Sequence, residues 1–255
     1  MEFLRAPVTS ISDYGSTPKT QNSRGIPLGT SVSLFVANLA TSSLADRLSR
    51  LGVAFAIYSD DSLVWSDDYN SIARAANIIT ESALEMGVTV NLNKSEAISL
   101  ISPNPRRAEI KAKDSIPFVG YHINSKNIFI NDSGVTRAKK RISSYVYFNL
   151  VHDLKMGRIP RGRVTQRLDR DYLVMLSQIR RFLYGNLDES KIAQFNAGAV
   201  PKRSFQGFMS FYPIVNDLNQ LKQLDAWLVQ TVFKALKKRT ELLRSMGRTE
   251  VVPVI

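Results

Sequence analysis

The 255-residue sequence has no cysteine, which excludes disulfide staples and thiolate metal centres. Its two histidines, His122 and His152, stand isolated from one another, and neither is assigned a role. No apolar run reaches the roughly 18 residues that a membrane-spanning helix needs. The longest candidate, Val32 to Ala40, is short and is interrupted by Ser33 and Asn38. Met1 to Ser10 lacks the basic start and long apolar stretch of a signal peptide, so the expected compartment is cytoplasmic, with no membrane partner. No internal repeat or low-complexity segment is present. Acidic residues are scarce early in the chain: only Glu2 and Asp13 precede Gly25.

What is present is an ordinary globular composition, 44% hydrophobic and 22% charged, in a chain long enough for a sizeable core. The net charge of +12 is unevenly spread. Residues 1–136 hold 12 Lys/Arg against 13 Asp/Glu, whereas residues 137–255 hold 22 against 9. The basic excess therefore lies wholly in the second half. It points to a polyanion, because each Lys or Arg seated on a phosphate releases a condensed counterion.

The local patterns divide the chain. Residues 1–24 are polar and turn-rich and read as an extended arm or ragged hairpin. A helix is expected from about Thr30 to Leu51, with Leu34, Leu44, Leu48 and Leu51 on one face and Gly52 as its stop. Val53–Tyr58 and Ser62–Trp65 read as two strands of a hairpin with Ser59-Asp60-Asp61 at its tip. Asp67, Asp68 and Asn70 supply turn and cap chemistry for a helix from about Ser71 to Met86, ended by Gly87. Strands are expected at 88–90, 97–101 and 116–121. Beyond Gly134 the texture turns helical and basic, with helices at about 135–156, 163–185 and 216–245.

The residues with the clearest chemistry are Asp60 and Asp61. Adjacent carboxylates at an exposed turn repel one another, and divalent cations relieve that repulsion. Two such ions can clamp the attacking and leaving oxygens of an in-line phosphoryl displacement, and magnesium suits carboxylate, water and phosphate oxygens. An isolated Asp-Asp pair is ordinarily solvated turn chemistry, and Asp67-Asp68, which lacks the strand-turn-strand frame, is read that way.

The surroundings carry a resemblance. Gly25-Ile26-Pro27-Leu28-Gly29, followed by Ser33, Ala37 and Asn38, resembles the turn and helix that reverse transcriptases place ahead of their catalytic hairpin. Tyr58-Ser59-Asp60-Asp61 resembles the polymerase signature itself. Asn91-Leu92-Asn93-Lys94 resembles the next element, and Phe118-Val119-Gly120-Tyr121 resembles the primer-gripping turn. Gln220 to Leu228 is similar to a thumb helix of group II intron-like enzymes. By this resemblance the sequence is similar to the C-terminal part of a bacterial reverse transcriptase of the group II intron-like, retron or phage-defence class.

The resemblance implies an α+β fold. A right-hand polymerase palm with an antiparallel sheet and packed helices would be followed by an α-helical thumb, with the fingers absent. It divides the chain into an arm (1–24), a partial palm (25–133) and a basic helical thumb (134–255). The implied activity is RNA-directed DNA polymerisation, with Asp60 and Asp61 as Mg²⁺ ligands and Lys94 neutralising the leaving pyrophosphate. Gly25, Pro27, Leu28, Gly29, Ser33, Tyr58 and Ser59 would shape the nucleotide and template site. Phe118, Gly120 and Tyr121 would hold the primer. Arg158, Arg161, Arg163, Arg167, Arg170, Lys237, Lys238 and Arg239 would track phosphates. The implied partners are an RNA template, a DNA primer or product, and dNTPs.

Two departures stand out. Leu28 replaces a Gln common in the family, removing a polar contact near the template or nucleotide. The family's first catalytic aspartate belongs on an apolar strand well ahead of Gly25, and Asp13 sits too close and in a polar arm. The expectation is a chain inactive by itself, with a second chain supplying fingers and the missing carboxylate. The alternative is a non-catalytic nucleic-acid-binding remnant; a fragment of an RNA-dependent RNA polymerase is a third reading.

Overall fold

The computed structural model describes residues 8–9, 21–22, 26, 32–91, 95, 97–102, 111–158, 163–165, 168–199 and 206–248. The chain forms two compact units, residues 1–119 and 120–255. The expected mixed α+β class is what is found, with short, mostly antiparallel strand pairs among helices.

In the first unit, β1 (Val8–Thr9) pairs antiparallel with β2 (Gln21–Asn22), a short rung within the arm. The single helix expected over 30–51 is two, α1 (Ser33–Ala40) and α2 (Ser42–Leu51). The break lies where hydroxyls back-bond to the preceding turn: Thr41 Oγ1 donates to Ala37 O at 3.1 Å and Ser42 Oγ to Leu39 O at 2.8 Å. Such bonds compete with the helical ladder and bend it. Gly52, at φ 78°, ends α2 in the left-handed conformation that glycine adopts without Cβ strain.

Strands β3 (Ala54–Tyr58) and β4 (Asp61–Trp65) form the expected hairpin, in register from Ala54↔Trp65 to Tyr58↔Asp61. Helix α3 (Tyr69–Glu85) starts at Asp68, whose carboxylate accepts from Asn70 N at 3.2 Å and Ser71 N at 2.9 Å. The Ser71 hydroxyl and backbone N–H together hold the Asp68 carboxyl below its ordinary pKa. Leu44, Leu48, Val53 and Ala75 form the buried core here, with Phe55, Ile57 and Val64 of the hairpin packed against it. Arg47 of α2 reaches across to α3, donating to Ser82 Oγ at 3.0 Å and pairing with Glu81. The stretch expected as a strand at 88–90 is irregular. Strand β5 (Leu100–Ile101) is shorter than expected and pairs parallel with β6 (Ala112–Lys113), and β7 (Ile116–Phe118) closes the unit.

The second unit opens with β8 (Tyr121–Ile123), antiparallel to β9 (Ile128–Ile130). Helix α4 (Asp132–Tyr147), capped by Asn131, runs into a π-helical segment, Phe148–His152, and then α5 (Asp153–Lys155). Val164–Thr165 and Leu168–Asp169, expected as helix, instead form the rung β10 (Val164–Thr165) to β11 (Leu168–Asp169). Asp169 then caps α6 (Arg170–Tyr184) through Asp171 N and Tyr172 N, which explains why the helix starts there. A helix not anticipated, α7 (Glu189–Asn196), is capped by Asp188. Helix α8 (Leu218–Ser245) completes the unit. The core gathers Ile142, Val146 and Leu150 with Met175 and Ile179 of α6 and Leu236 of α8. Gln220 mimics a neighbouring strand: its side chain accepts from Ile130 N and donates to Ile130 O, each at 2.8 Å.

Candidate functional site

The Asp-Asp tip is built by a two-residue turn. With Tyr58 paired to Asp61, only Ser59 and Asp60 cross between the strands. Ser59 sits at φ 57°, the positive value that tight hairpins require at their first turn position. Strand alternation sorts the faces. Phe55, Ile57 and Val64 point to the α2–α3 core, so Tyr58 and Asp61, opposite one another, lie on the other face, with Trp65. Asp60 and Asp61 are both exposed. The turn thus holds the two carboxylates out of the core on a short, register-locked ribbon.

Their chemistry suits a hard cation in kind, since carboxylate oxygens are magnesium ligands. It falls short in number. Among the described residues no group of three or more acidic, histidine or cysteine side chains gathers around one point. A pair of ions bridged by protein carboxylates is therefore not furnished by the described residues alone.

Of the other residues singled out in the sequence, Lys94, Gly25, Pro27, Leu28 and Gly29 lie outside the described residues, as do Arg161 and Arg167. Ser33 opens α1 and is half-buried. Phe118 ends β7, half-buried, and Val119 after it has φ 44°. In the second unit Gly120 has φ 86°, and its carbonyl accepts from Asn131 N at 3.1 Å. The Tyr121 hydroxyl donates to Phe211 O at 2.8 Å, and its ring packs edge-on to Tyr212, centroids 5.4 Å apart. Burial, with Tyr212 as a lesser cause, raises the Tyr121 pKa above its ordinary value.

The half of the chain before Gly120 thus offers a carboxylate tip, and the sequence around it can be compared with known families. Residues 3–123 match the family model for reverse transcriptase (RNA-dependent DNA polymerase). The match covers a little under half of the chain and contains the whole Asp60–Asp61 hairpin. No curated protein matches the chain. The reverse transcriptase family is one of polymerases that use divalent metals, and its matched domain is of the palm type, in keeping with the α+β class observed here.

Beyond the reverse-transcriptase-like stretch, the basic residues separate by burial. Arg158, Arg170 and Lys237 are exposed, as is Lys238, which pairs with Glu241 at 3.1 Å. Arg239 does not belong with them. It is 1% exposed, with Nε 2.7 Å from Asp169 Oδ2, Nη2 2.9 Å from Asp171 Oδ2 and Nη1 2.9 Å from Leu150 O. A guanidinium so enclosed cannot meet a phosphate, so the expected phosphate-tracking role is withdrawn for Arg239. Arg163 is half-exposed and stands 2.6 Å from Asp171 Oδ1, off the hydrogen-bonding direction.

A feature the sequence reading missed lies beside this network. Arg141, Tyr145, Phe148, Asn149, Asp171 and Gln178, with Ser144, Asp153 and Arg163, line an open pocket of about 310 Å³. These positions are scattered over 141–178 on helical faces, where no spacing marks them as a set.

Proposed function

We propose that the chain is a palm-and-thumb portion of an RNA-directed DNA polymerase. Residues 25–133 would form the partial palm and residues 134–255 the basic thumb. The observation that carries this reading is the register-locked Tyr58-Ser59-Asp60-Asp61 hairpin inside the stretch matched by the reverse transcriptase family. A fold gains nothing from presenting adjacent carboxylates on a strained turn, whereas nucleotidyl transfer needs them there. Asp60 and Asp61 are the residues proposed to hold Mg²⁺. Lys94 is proposed to meet the pyrophosphate, and Phe118, Gly120 and Tyr121 the primer. Arg158, Arg163, Arg170, Lys237 and Lys238 are proposed to follow the nucleic-acid backbone, which gives affinity without sequence preference. The bacterial classes named above, with phage defence first among them, are part of the same proposal, as is a cytoplasmic location.

The described residues offer two carboxylates where the chemistry takes three, so we propose that a second polypeptide brings the third, with the fingers. Losing one preorganised charged group costs on the order of 10²–10³ in rate. That same shortfall favours the second reading, a nucleic-acid-binding remnant without catalysis.

Primer extension on an RNA template with Mg²⁺ and labelled dNTPs separates the two. Extension with the polypeptide encoded directly upstream added, and lost with Asp60→Asn, is the outcome expected of a polymerase portion. RNA binding without extension in either arrangement would leave the binding remnant.

A further inference from the structure

Strand β9 lies at the edge of its sheet, with β8 on its inner side. Such an edge ordinarily leaves its outward N–H and C=O groups to water or to another chain. Here the outward groups of Ile128 and Ile130 are all taken by one short segment of the same unit. Ile128 N donates to Asn216 Oδ1 at 2.7 Å, and Ile128 O accepts from Asn216 N at 3.0 Å and Asp217 N at 3.3 Å. Ile130 N donates to Gln220 Oε1, and Ile130 O accepts from Gln220 Nε2, each at 2.8 Å. A glutamine amide carries an acceptor and a donor side by side, as a peptide group does, so Gln220 stands in for a residue of a further strand. Ile130 is fully buried, and its backbone groups require partners. A plain strand would supply them equally well. What side chains from the head of α8 add is a fixed position of the ribbon against that helix.

The same segment holds Tyr121. Ile130, locked by Gln220, is the cross-strand partner of Tyr121. The Tyr121 hydroxyl donates to Phe211 O at 2.8 Å, and its ring packs edge-on against Tyr212. The carbonyl of Gly120 is fixed by Asn131 N at 3.1 Å, one residue beyond Ile130. Residues 211–220 therefore grip the β8–β9 ribbon both at its backbone edge and through the Tyr121 side chain. The segment runs on into α8, where Asp217 caps the helix by accepting from Gln220 N at 2.8 Å. Further along, Arg239 anchors the same helix to Asp169.

We propose that Gln220, with Asn216 as the lesser contributor, is a positioning residue that holds the Gly120–Tyr121 backbone where the primer terminus meets it. The inference rests on the primer assignment in the palm-and-thumb reading above, and it adds the residues that keep that backbone in place. Gln220 itself touches no nucleic acid in this role, because its amide is occupied by Ile130. Asn216 contributes less because two backbone bonds to Ile128 O survive its replacement, whereas both bonds to Ile130 come from the Gln220 side chain. Nucleotidyl transfer tolerates little displacement: a shift of about 1 Å caused far from the chemistry can cost about a hundredfold in rate.

The test is photocrosslinking with the full chain and an RNA template annealed to a DNA primer that ends in 4-thiothymidine. It is run at saturating protein, so that affinity drops out and the proximity of the terminus remains. The unaltered chain is expected to crosslink within the peptide that carries Gly120 and Tyr121. Gln220→Met keeps the length of the side chain and loses both bonds, and it is expected to lose most of that crosslink. Its affinity, followed by fluorescence anisotropy, is expected to stay within about twofold, because phosphate contacts elsewhere dominate binding. Asn216→Ala is expected to lose less of the crosslink. Ile142→Val, a change in the core rather than against residues 211–220, lowers the melting temperature and is expected to keep the crosslink. A Gln220→Met chain that crosslinks in full overturns the positioning role and leaves the palm-and-thumb reading in place. An equal loss in Ile142→Val does the same, since general loosening would then suffice. A crosslink of the unaltered chain that falls away from Gly120 and Tyr121 overturns the primer assignment and this inference with it. No binding of primer and template at low salt overturns the palm-and-thumb reading as well.

Discussion

Arg239 of α8 and Asp169 at the head of α6 form a two-point ion pair, with Nε–Oδ2 at 2.7 Å and Nη2–Oδ1 at 3.1 Å. The same aspartate oxygen Oδ1 caps α6 by accepting from Asp171 N and Tyr172 N. The same arginine donates to Leu150 O in the π-helical segment and to Asp171 Oδ2. One buried pair therefore ties α8, the start of α6 and the widened turn into a single joint, which the open pocket borders through Asp171. Two aspartates and one enclosed arginine leave a negative excess there, which the half-exposed Arg163 balances from the pocket side.

Removing the arginine leaves two carboxylates in the protein with only the half-exposed Arg163 to compensate them. Breaking a buried pair in this way typically costs about 3–5 kcal/mol, whereas an exposed surface lysine changes stability by about 0.5 kcal/mol or less. Arg239→Met is expected to lower the urea midpoint sharply, and Lys238→Met to leave it nearly in place. Equal midpoints for both variants would show that the joint contributes nothing.

This contrast between neighbours also marks how far the sequence could be read. Lys237-Lys238-Arg239 is one basic run in the sequence, and nothing in it says that the third member turns inward. Burial depends on the phase of a 28-residue helix against partners 70 residues away. Local signals fared better where the physics is local. The Asp68 cap, the Gly52 stop and the Asp-Asp hairpin all follow from residues within a few positions of one another. The helix break at Thr41 was missed because apolar spacing continued across it while two hydroxyls took the carbonyls. The pocket was illegible because its lining residues are scattered over 141–178 and meet only when the helices pack, which no local spacing records.

Gly134, in the first turn of α4, yields a prediction whose sign runs against helix propensity. Alanine ordinarily improves on glycine within a helix by about 1 kcal/mol. Here an added Cβ would stand 2.6 Å from Tyr212 Oη and 2.8 Å from Ile130 Cγ2. Overpacking of that kind costs about 1–3 kcal/mol, so crowding wins. Gly134→Ala is expected to melt at lower temperature than the unaltered chain, and Gly134→Ala with Tyr212→Phe to recover part of the loss. A higher melting temperature for the single variant would refute the close approach.

Tyr121 gives a pH dependence. Its raised pKa means that the folded state favours the neutral phenol, which burial protects and which donates to Phe211 O. A group raised in the fold contributes stability below its ordinary pKa of 10.0, and that contribution is lost as pH rises through the folded value. Tyr121→Phe is expected to cost about 1 kcal/mol near neutral pH, the net worth of one hydrogen bond. The difference between the two proteins is expected to shrink on going to alkaline pH. Denaturation midpoints measured from neutrality to above pH 10.0 test this, and a gap that widens with pH would contradict the assigned direction.

The last prediction concerns the turn that presents the carboxylates. Ser59 occupies φ 57°, which strains a non-glycine residue by about 1 kcal/mol or a little more. Glycine would relieve that strain but adds unfolded-state entropy worth about 0.5–1 kcal/mol, so the two effects nearly cancel. Ser59→Gly is therefore expected to leave stability within about 0.5 kcal/mol of the original. Ser59→Val, with a branched Cβ in the same conformation, is expected to cost about 2 kcal/mol. The difference matters for the site, because valine can escape its strain only by changing the turn, and the Tyr58↔Asp61 pairing then shifts. A one-residue slip would move Asp61 onto the face that packs against α2 and α3. Ser59→Val, even where it folds, is thus expected to lose any Mg²⁺-dependent activity reconstituted with a partner chain, while Ser59→Gly keeps it. Equal activity in both variants would mean that the turn geometry does not position the two aspartates.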